Sequence, residues 1–219
     1  MIKALIFDFD GLIMDTESPE VDGWKAIYAE YGQEFPLQVW VSKVVGATAA
    51  NFDPAAHLAA LTGQALDQAE LHQRARLYRL QEQSKLTALP GVVDYVKGAR
   101  RLGLRLAVAS SSSRAWVHEY LRQLGLFADF DVIVCREDVS HVKPDPELYQ
   151  KAVEALHLPK PAILAFEDSP NGVLAALGAG LRVVAVPNPI TAHGRIEGAS
   201  LLLRSLADMP LEDLLAQFA

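Results

Sequence analysis

The sequence predicts an α/β protein: a doubly wound parallel sheet with an all-helical cap inserted near its start. Five short apolar runs each end in a turn or a polar cluster, as strands buried on both faces do. Helical periodicity separates the later runs, so strand, helix and strand repeat with right-handed crossovers. The long interval from about Pro19 to Leu86 carries helical periodicity alone, which marks it as an insertion.

Ala4-Leu5-Ile6-Phe7 is the opening strand. Ser18-Pro19 then reads as a helix cap followed by proline in the first helical position. Cap helices are expected near Glu20 to Tyr31, Leu37 to Val44, Phe52 to Leu61 and Leu66 to Lys85, with Gly32, Gly46 and Gly63 as breaks. Leu89-Pro90-Gly91 leads back into the core, which gives a catalytic core of residues 1–17 and 87–219 and a cap of residues 18–86. An amphipathic helix from Val92 to Leu102 precedes a strand from Leu104 to Ala109. A helix from Trp116 to Leu124 leads to the strand Val132 to Cys135. Asp145-Pro146 signals the helix that runs through Leu148 to Leu156, and strands follow at Ile163 to Phe166 and Val183 to Val186. The tail from Leu201 to Phe218 supplies an edge strand and a closing helix. Ligands of such sheets bind outside the strand carboxyl ends, so a cap entered just after the first strand hangs over that crevice as a lid.

At 219 residues and 51% hydrophobic composition the chain has ample material for a buried core. The formal charge of -7 argues against a nucleic-acid surface, which needs clustered Lys and Arg. Cys135 is the single cysteine, so no internal disulfide forms and a reducing cytoplasm is expected. The start of the chain lacks the pattern of a secretory signal, and no stretch approaches the apolar length of a membrane span. Oligomeric state stays open.

Polar residues collect where the crevice is expected. Asp8 and Asp10 follow the first strand, Ser110 the second, Lys143 the third and Glu167-Asp168 the fourth. Residues two apart on an extended segment share a face, so the Asp8 and Asp10 charges repel unless a cation or proton lies between them. Oxygen ligands of this kind suit Mg2+, which usually binds substrate phosphate as well. Each residue alone has an ordinary explanation, as a paired acid, a helix cap or a solvated loop. Together they supply a metal cage, a phosphate-binding hydroxyl and a cation on one rim, which points to chemistry on a phosphoryl group.

The segments Asp8-Phe9-Asp10-Gly11-Leu12-Ile13-Met14-Asp15-Thr16-Glu17, Ala109-Ser110-Ser111-Ser112, Lys143-Pro144-Asp145-Pro146 and Phe166-Glu167-Asp168-Ser169-Pro170-Asn171-Gly172 resemble, in order and spacing, the motifs of the haloacid dehalogenase superfamily. The likeness is greatest to its magnesium-dependent phosphatases and β-phosphoglucomutase-like members, which carry a helical cap on a Rossmann-like core. The resemblance implies that Asp8 is the nucleophile that becomes phosphorylated. It implies that Asp10 protonates the leaving oxygen and later deprotonates water, while its main-chain carbonyl binds the metal. Ser110, with Ser111, Gly11 and Lys143, is then a phosphate ligand, and Lys143 offsets the charge on Asp8. Asp168 completes the Mg2+ site; Glu167 either binds the metal directly or holds water or the Lys143 ammonium. Gly172 is read as a helix-packing glycine, and Thr16 and Glu17 lie at the hinge between core and cap.

Departures from the pattern bear on the reaction. Mutase members carry a histidine near the position of Glu20 and a Gly-x-x-Arg cap loop, where this chain reads Gly46-Ala47-Thr48-Ala49. Without that arginine the bidentate clamp for a second phosphate is missing, which favours hydrolysis of a small phosphorylated metabolite, a sugar phosphate among the candidates, over mutase activity. Arg74, Arg76, Arg79 and Lys85 read as a solvent-facing stripe on a cap helix. Dehalogenation fits poorly with Asp10 and the Glu167-Asp168 pair present. A phosphoacceptor signalling module needs an aspartate on a later strand, where this chain has Ser110 and Cys135.

Overall fold

Alternation along short strands decides how the layers form. In β1 (Ala4–Phe7) Leu5 and Phe7 face one side, Ala4 and Ile6 the other, and all four are fully buried. The computed structural model describes residues 1–43, 52–83 and 85–219. After β1 come four helices, α1 (Ser18–Glu30), α2 (Leu37–Lys43), α3 (Pro54–Thr62) and α4 (Gln68–Gln83). The core then runs α5 (Val92–Arg101), β2 (Arg105–Ala109), α6 (Arg114–Gln123), β3 (Val132–Val134), α7 (Glu147–Leu156), β4 (Ile163–Glu167), α8 (Pro170–Gly178), β5 (Arg182–Ala185), β6 (Leu201–Leu202) and α9 (Leu211–Ala216).

The strands form one six-stranded parallel sheet in the order β3-β2-β1-β4-β5-β6. The order reverses between β1 and β4, so the ligand crevice of a doubly wound sheet falls beyond Phe7 and its register partner Phe166. Their rings stack with centroids 4.8 Å apart, on the face covered by α5, α6 and α9. On the other face Ala4, Ile6, Ala165 and Val183 pack beneath Leu148, Tyr149 and Ala152 of α7 and Val173 and Ala176 of α8. Each large apolar side chain so buried contributes about 1.5–3 kcal/mol, which fixes the strand ends that carry the site.

The cap helices close around their own apolar cluster, with Val21, Trp24, Ile27 and Tyr28 of α1 against Leu58 of α3 and Leu71 and Ala75 of α4. Ile190 of the core is buried in the same cluster. Helix starts differ from the sequence reading where an acid takes the capping role. Ser18 is the first residue of α1 and not the residue before it, and its amide donates to Asp15 Oδ1 at 2.9 Å. Asp53 accepts from the Ala55 and Ala56 amides, so α3 begins at Pro54 and not at Phe52. Asp67 accepts from the Glu70 amide and sets the start of α4 at Gln68 and not at Leu66, whereas the cap read at Asp145 is in place, accepting from the Glu147 amide where α7 begins. Val44, the break at Gly46 and the loop of residues 46–49 lie outside the described residues.

Candidate active site

The rim is built by the ends of β1 and β4. Asp8 donates its amide to Phe166 O at 3.0 Å, so the two chains stay paired one residue beyond β1. Glu167 ends β4 and Asp168 follows it. The carboxylates of Asp8, Glu167 and Asp168 offer oxygens that all lie within 4.8 Å of one another, and all three residues are buried. Lys143, from the loop before α7, stands against them with Nζ 2.5 Å from Asp8 Oδ1 and 2.6 Å from Glu167 Oε1. Tyr149 OH also donates to Glu167 Oε1, at 2.5 Å, and Glu167 Oε2 accepts the Asp168 amide.

Three buried carboxylates face one ammonium, and the remaining negative charge sets the electrostatics. Burial, with the Glu167 charge adding to it, pushes the Asp8 carboxyl up to about 7 despite Lys143. Burial likewise raises Asp168 well above the carboxylate range, helped by Asp8 and Glu167. Burial alone would lower Lys143, but Asp8 and Glu167 outweigh it and hold the ammonium above the usual lysine range. An all-oxygen set with uncompensated charge fits a hard divalent cation, which would restore the ionised forms.

Asp10 departs from the expected shared face. The strand stops at Phe7, the chain turns, and Asp10 makes an isolated bridge to Met14, so the two-residue alternation no longer applies. The Asp10 carboxylate lies outside the acidic cluster and accepts four side-chain hydrogen bonds. Oδ1 takes Thr16 Oγ1 at 3.0 Å and Trp116 Nε1 at 2.9 Å; Oδ2 takes Ser112 Oγ at 2.6 Å and Ser110 Oγ at 3.3 Å.

That arrangement changes the reading of the serines. Ser110 is fully buried, donates a hydrogen bond from its hydroxyl to Asp10 and accepts the Ser112 amide at 3.0 Å. Ser111 lines the cavity instead, with a buried hydroxyl that has no hydrogen-bond partner among the described residues. Gly11 also differs from expectation: its amide donates to Met14 O at 2.8 Å and is not free for phosphate. Its role is space, because a Cβ there would lie 2.2 Å from Asp168 Oδ2. Gly172 is likewise more than a helix-packing glycine, since its Cβ would meet the Glu167 carboxylate at 1.9 Å.

A cavity of about 430 Å³ opens in front of the rim, a size suited to a small-molecule ligand. Asp8, Asp10, Lys143, Asp168 and Ser169 form its base, and Ser111, Ser112, Ser113, Trp116 and Arg136 its core-side wall. Thr16, Glu17, Glu20 and Arg79 face it from the hinge and the cap. Withdrawal from solvent, with Asp10 and Glu20 nearby, pushes the Glu17 carboxyl up to about 8. Arg79 therefore leaves the solvent-facing stripe. Arg74 pairs with Glu30 and Lys85 with Glu82, but Arg79 turns inward to Glu20. Asn188, which sequence reading missed, gives its side-chain amide to Asp168 Oδ2 at 2.8 Å and to Gly11 O at 3.1 Å.

Known proteins share this chain's sequence and fold. The family model for haloacid dehalogenase-like hydrolases matches residues 5–186. Over 217 residues the chain is 47% identical to the protein YhcW of Bacillus subtilis (strain 168), covering 98% of this chain and 97% of that one. It is 31% identical over 189 residues to the fructose-1-phosphate phosphatase YqaB of Escherichia coli (strain K12), covering 84% of this chain and 95% of that one. The crystal structure of CbbY from Rhodobacter sphaeroides in complex with phosphate matches with a TM-score of 0.70 at 29% identity, covering 95% of this chain and 96% of that one. Matched over most of its length in sequence and in fold, and carrying its acids on the rim that the sheet order selects, the chain belongs to the haloacid dehalogenase-like hydrolase family.

Proposed function

We propose that this hydrolase is a cytoplasmic, Mg2+-dependent phosphatase that acts on a small phosphorylated metabolite, a sugar phosphate in kind, through a phosphoaspartate on Asp8. The observation that carries the reading is the buried Asp8 carboxylate held 2.5 Å from Lys143 at the base of a cavity wide enough for such a substrate. The fructose-1-phosphate phosphatase and the phosphate-bound CbbY among the similar proteins support the substrate class.

Asp8 attacks phosphorus, forming an Oδ–P bond as the bond to the leaving oxygen breaks. Asp10 hands the leaving oxygen a proton, then takes one from the water that displaces Asp8 from phosphorus, releasing inorganic phosphate. The four donors around Asp10 hold its carboxyl group in place for both steps. Lys143 offsets the charge on Asp8 so that anion approaches anion, and the Ser111 hydroxyl, without a partner among the described residues, is a donor for a phosphoryl oxygen. Asp8, Asp168 and the Asp10 main-chain carbonyl are the ligands we assign to Mg2+, and Glu167, with Oε1 already accepting from Lys143 and Tyr149, serves to hold Lys143. When bound, Mg2+ polarises the phosphoryl group and neutralises charge.

Phosphosugar mutase activity is the second reading. Glu20 stands at the mutase histidine position and is engaged with Arg79 and Trp24, which favours hydrolysis. A panel of phosphorylated metabolites with and without Mg2+, including β-glucose 1-phosphate with its bisphosphate activator, tests both. Release of phosphate only with Mg2+ supports the phosphatase; conversion to the 6-phosphate without phosphate release establishes the mutase.

A further inference from the structure

Glu20 of α1 and Arg79 of α4 meet across the cap at the cavity wall, with Glu20 Oε2 2.8 Å from Arg79 Nε. Both side chains are only partly exposed, at 26% and 31%. Glu20 is anchored from behind, because its Oε1 accepts the indole N–H of the buried Trp24 at 3.2 Å. The wall facing a substrate's leaving group thus presents a closed ion pair of no net charge. A carboxylate accepts hydrogen bonds from hydroxyls, and a guanidinium donates to them, so such a pair grips a polyol without demanding charge on it.

A second phosphate or a carboxylate at that end meets different physics. It would have to open the pair to reach Arg79, then lie beside the Glu20 carboxylate. Across the cavity as a whole, five carboxyl side chains face three cations, and Lys143 is already engaged by Asp8 and Glu167. A divalent cation with one phosphoryl dianion leaves no positive charge over for another anion. Arg136, from the core, is exposed and offers a single solvated guanidinium.

We infer that the Glu20–Arg79 pair determines specificity, admitting phosphomonoesters whose leaving group is uncharged and hydroxyl-rich and refusing those with a second anionic group. This inference rests on the phosphatase reading above. Its test is the ratio of kcat/KM for ribose 5-phosphate and glucose 6-phosphate to that for fructose 1,6-bisphosphate and phosphoglycolate, measured with Mg2+. The wild type favours the first two. Glu20→Gln keeps an acceptor for Trp24 but removes the charge, and lowers the ratio at least about fivefold, because Arg79 is freed for anions. Arg79→Gln leaves Glu20 uncompensated and raises the ratio at least about fivefold. A merely structural pair would move both substrate groups together. Smaller changes in both variants, or a wild type that favours fructose 1,6-bisphosphate and phosphoglycolate, overturn the assignment while leaving the phosphatase reading intact. Absence of Mg2+-dependent hydrolysis of every monoester tried, p-nitrophenyl phosphate included, overturns both.

Discussion

Trp116 donates its indole N–H to Asp10 Oδ1 at 2.9 Å, from the first turn of the helix capped by Ser113. Its ring packs edge-on against Tyr120 with centroids 4.5 Å apart, so the donor is held by packing and not by a flexible stem. Trp116→Phe keeps that packing and removes one of four donors to Asp10. A hydrogen bond to a charged group contributes about 1.5–3 kcal/mol, and water in the open cavity replaces part of it. The expected outcome is a kcat lower by about tenfold, corresponding to about 1.4 kcal/mol, with KM changed far less. Steady-state kinetics on one phosphomonoester checks it; an unchanged kcat would show that the hydroxyls alone orient Asp10.

Asp8→Asn should abolish turnover, by at least about 10⁴-fold, because the amide is no nucleophile toward phosphorus. The fold should gain from the same change. Asp8 is pushed up to about 7 chiefly by burial, so its charged form is disfavoured, and a neutral isostere relieves repulsion with Glu167 and Asp168. A thermal melt in chelator at pH 8 should give the variant a Tm no lower than the wild type's. A large drop would mean that the Asp8–Lys143 pair stabilises the metal-free protein.

The same shifts set a pH dependence. Asp8 rises from the ordinary 3.8 to about 7 and Glu17 from 4.5 to about 8, so the folded state binds more protons than the unfolded one between those limits. Their contribution to stability is complete below about pH 4 and is lost as pH climbs through 7 and 8. In chelator, Tm should therefore fall between pH 5 and pH 8. Added Mg2+ competes with those protons, so its stabilising effect should be larger at pH 8 than at pH 5. Differential scanning calorimetry at the two pH values, with and without Mg2+, reads both effects.

Gly172→Ala places a methyl 1.9–2.2 Å from the three terminal atoms of the Glu167 carboxyl group. Overpacking against a buried carboxylate already held by Lys143 and Tyr149 should cost about 3 kcal/mol. Gly32→Ala, where φ is +65° and none of the described residues lies within 4 Å, should cost about 1 kcal/mol from backbone strain alone. Urea titrations of the two variants separate them; equal losses would mean that Glu167 yields easily.

The layering and the rim were legible because their signals are local. Short apolar runs ending in Asp8, Ser110 or Glu167-Asp168 declare both a buried strand and what stands at its end. The direction of Asp10 was not, since alternation predicts a shared face only while the chain stays extended, and the chain turns at Phe9 to Met14. Arg79 had a readable signal that its neighbours obscured. It lies four residues beyond Ala75 and eight beyond Leu71, hence on the buried stripe of α4, although three nearby cations suggested a solvated face. Asn188 carried no signal in sequence, because its partners Gly11 and Asp168 come near only when the sheet assembles.

Ile190 is a core residue whose side chain is buried among cap residues, and its amide is fixed by Asn188 Oδ1 at 2.8 Å. The neighbouring Thr191 amide bonds to the same oxygen, while the Asn188 amide group reaches Asp168. A lid that lifted away whole would have to expose Ile190 to water, at about 1.5–3 kcal/mol. A movement that pivots about Ile190 keeps that contact and avoids the loss, so this is the side on which the cap stays tied to the core.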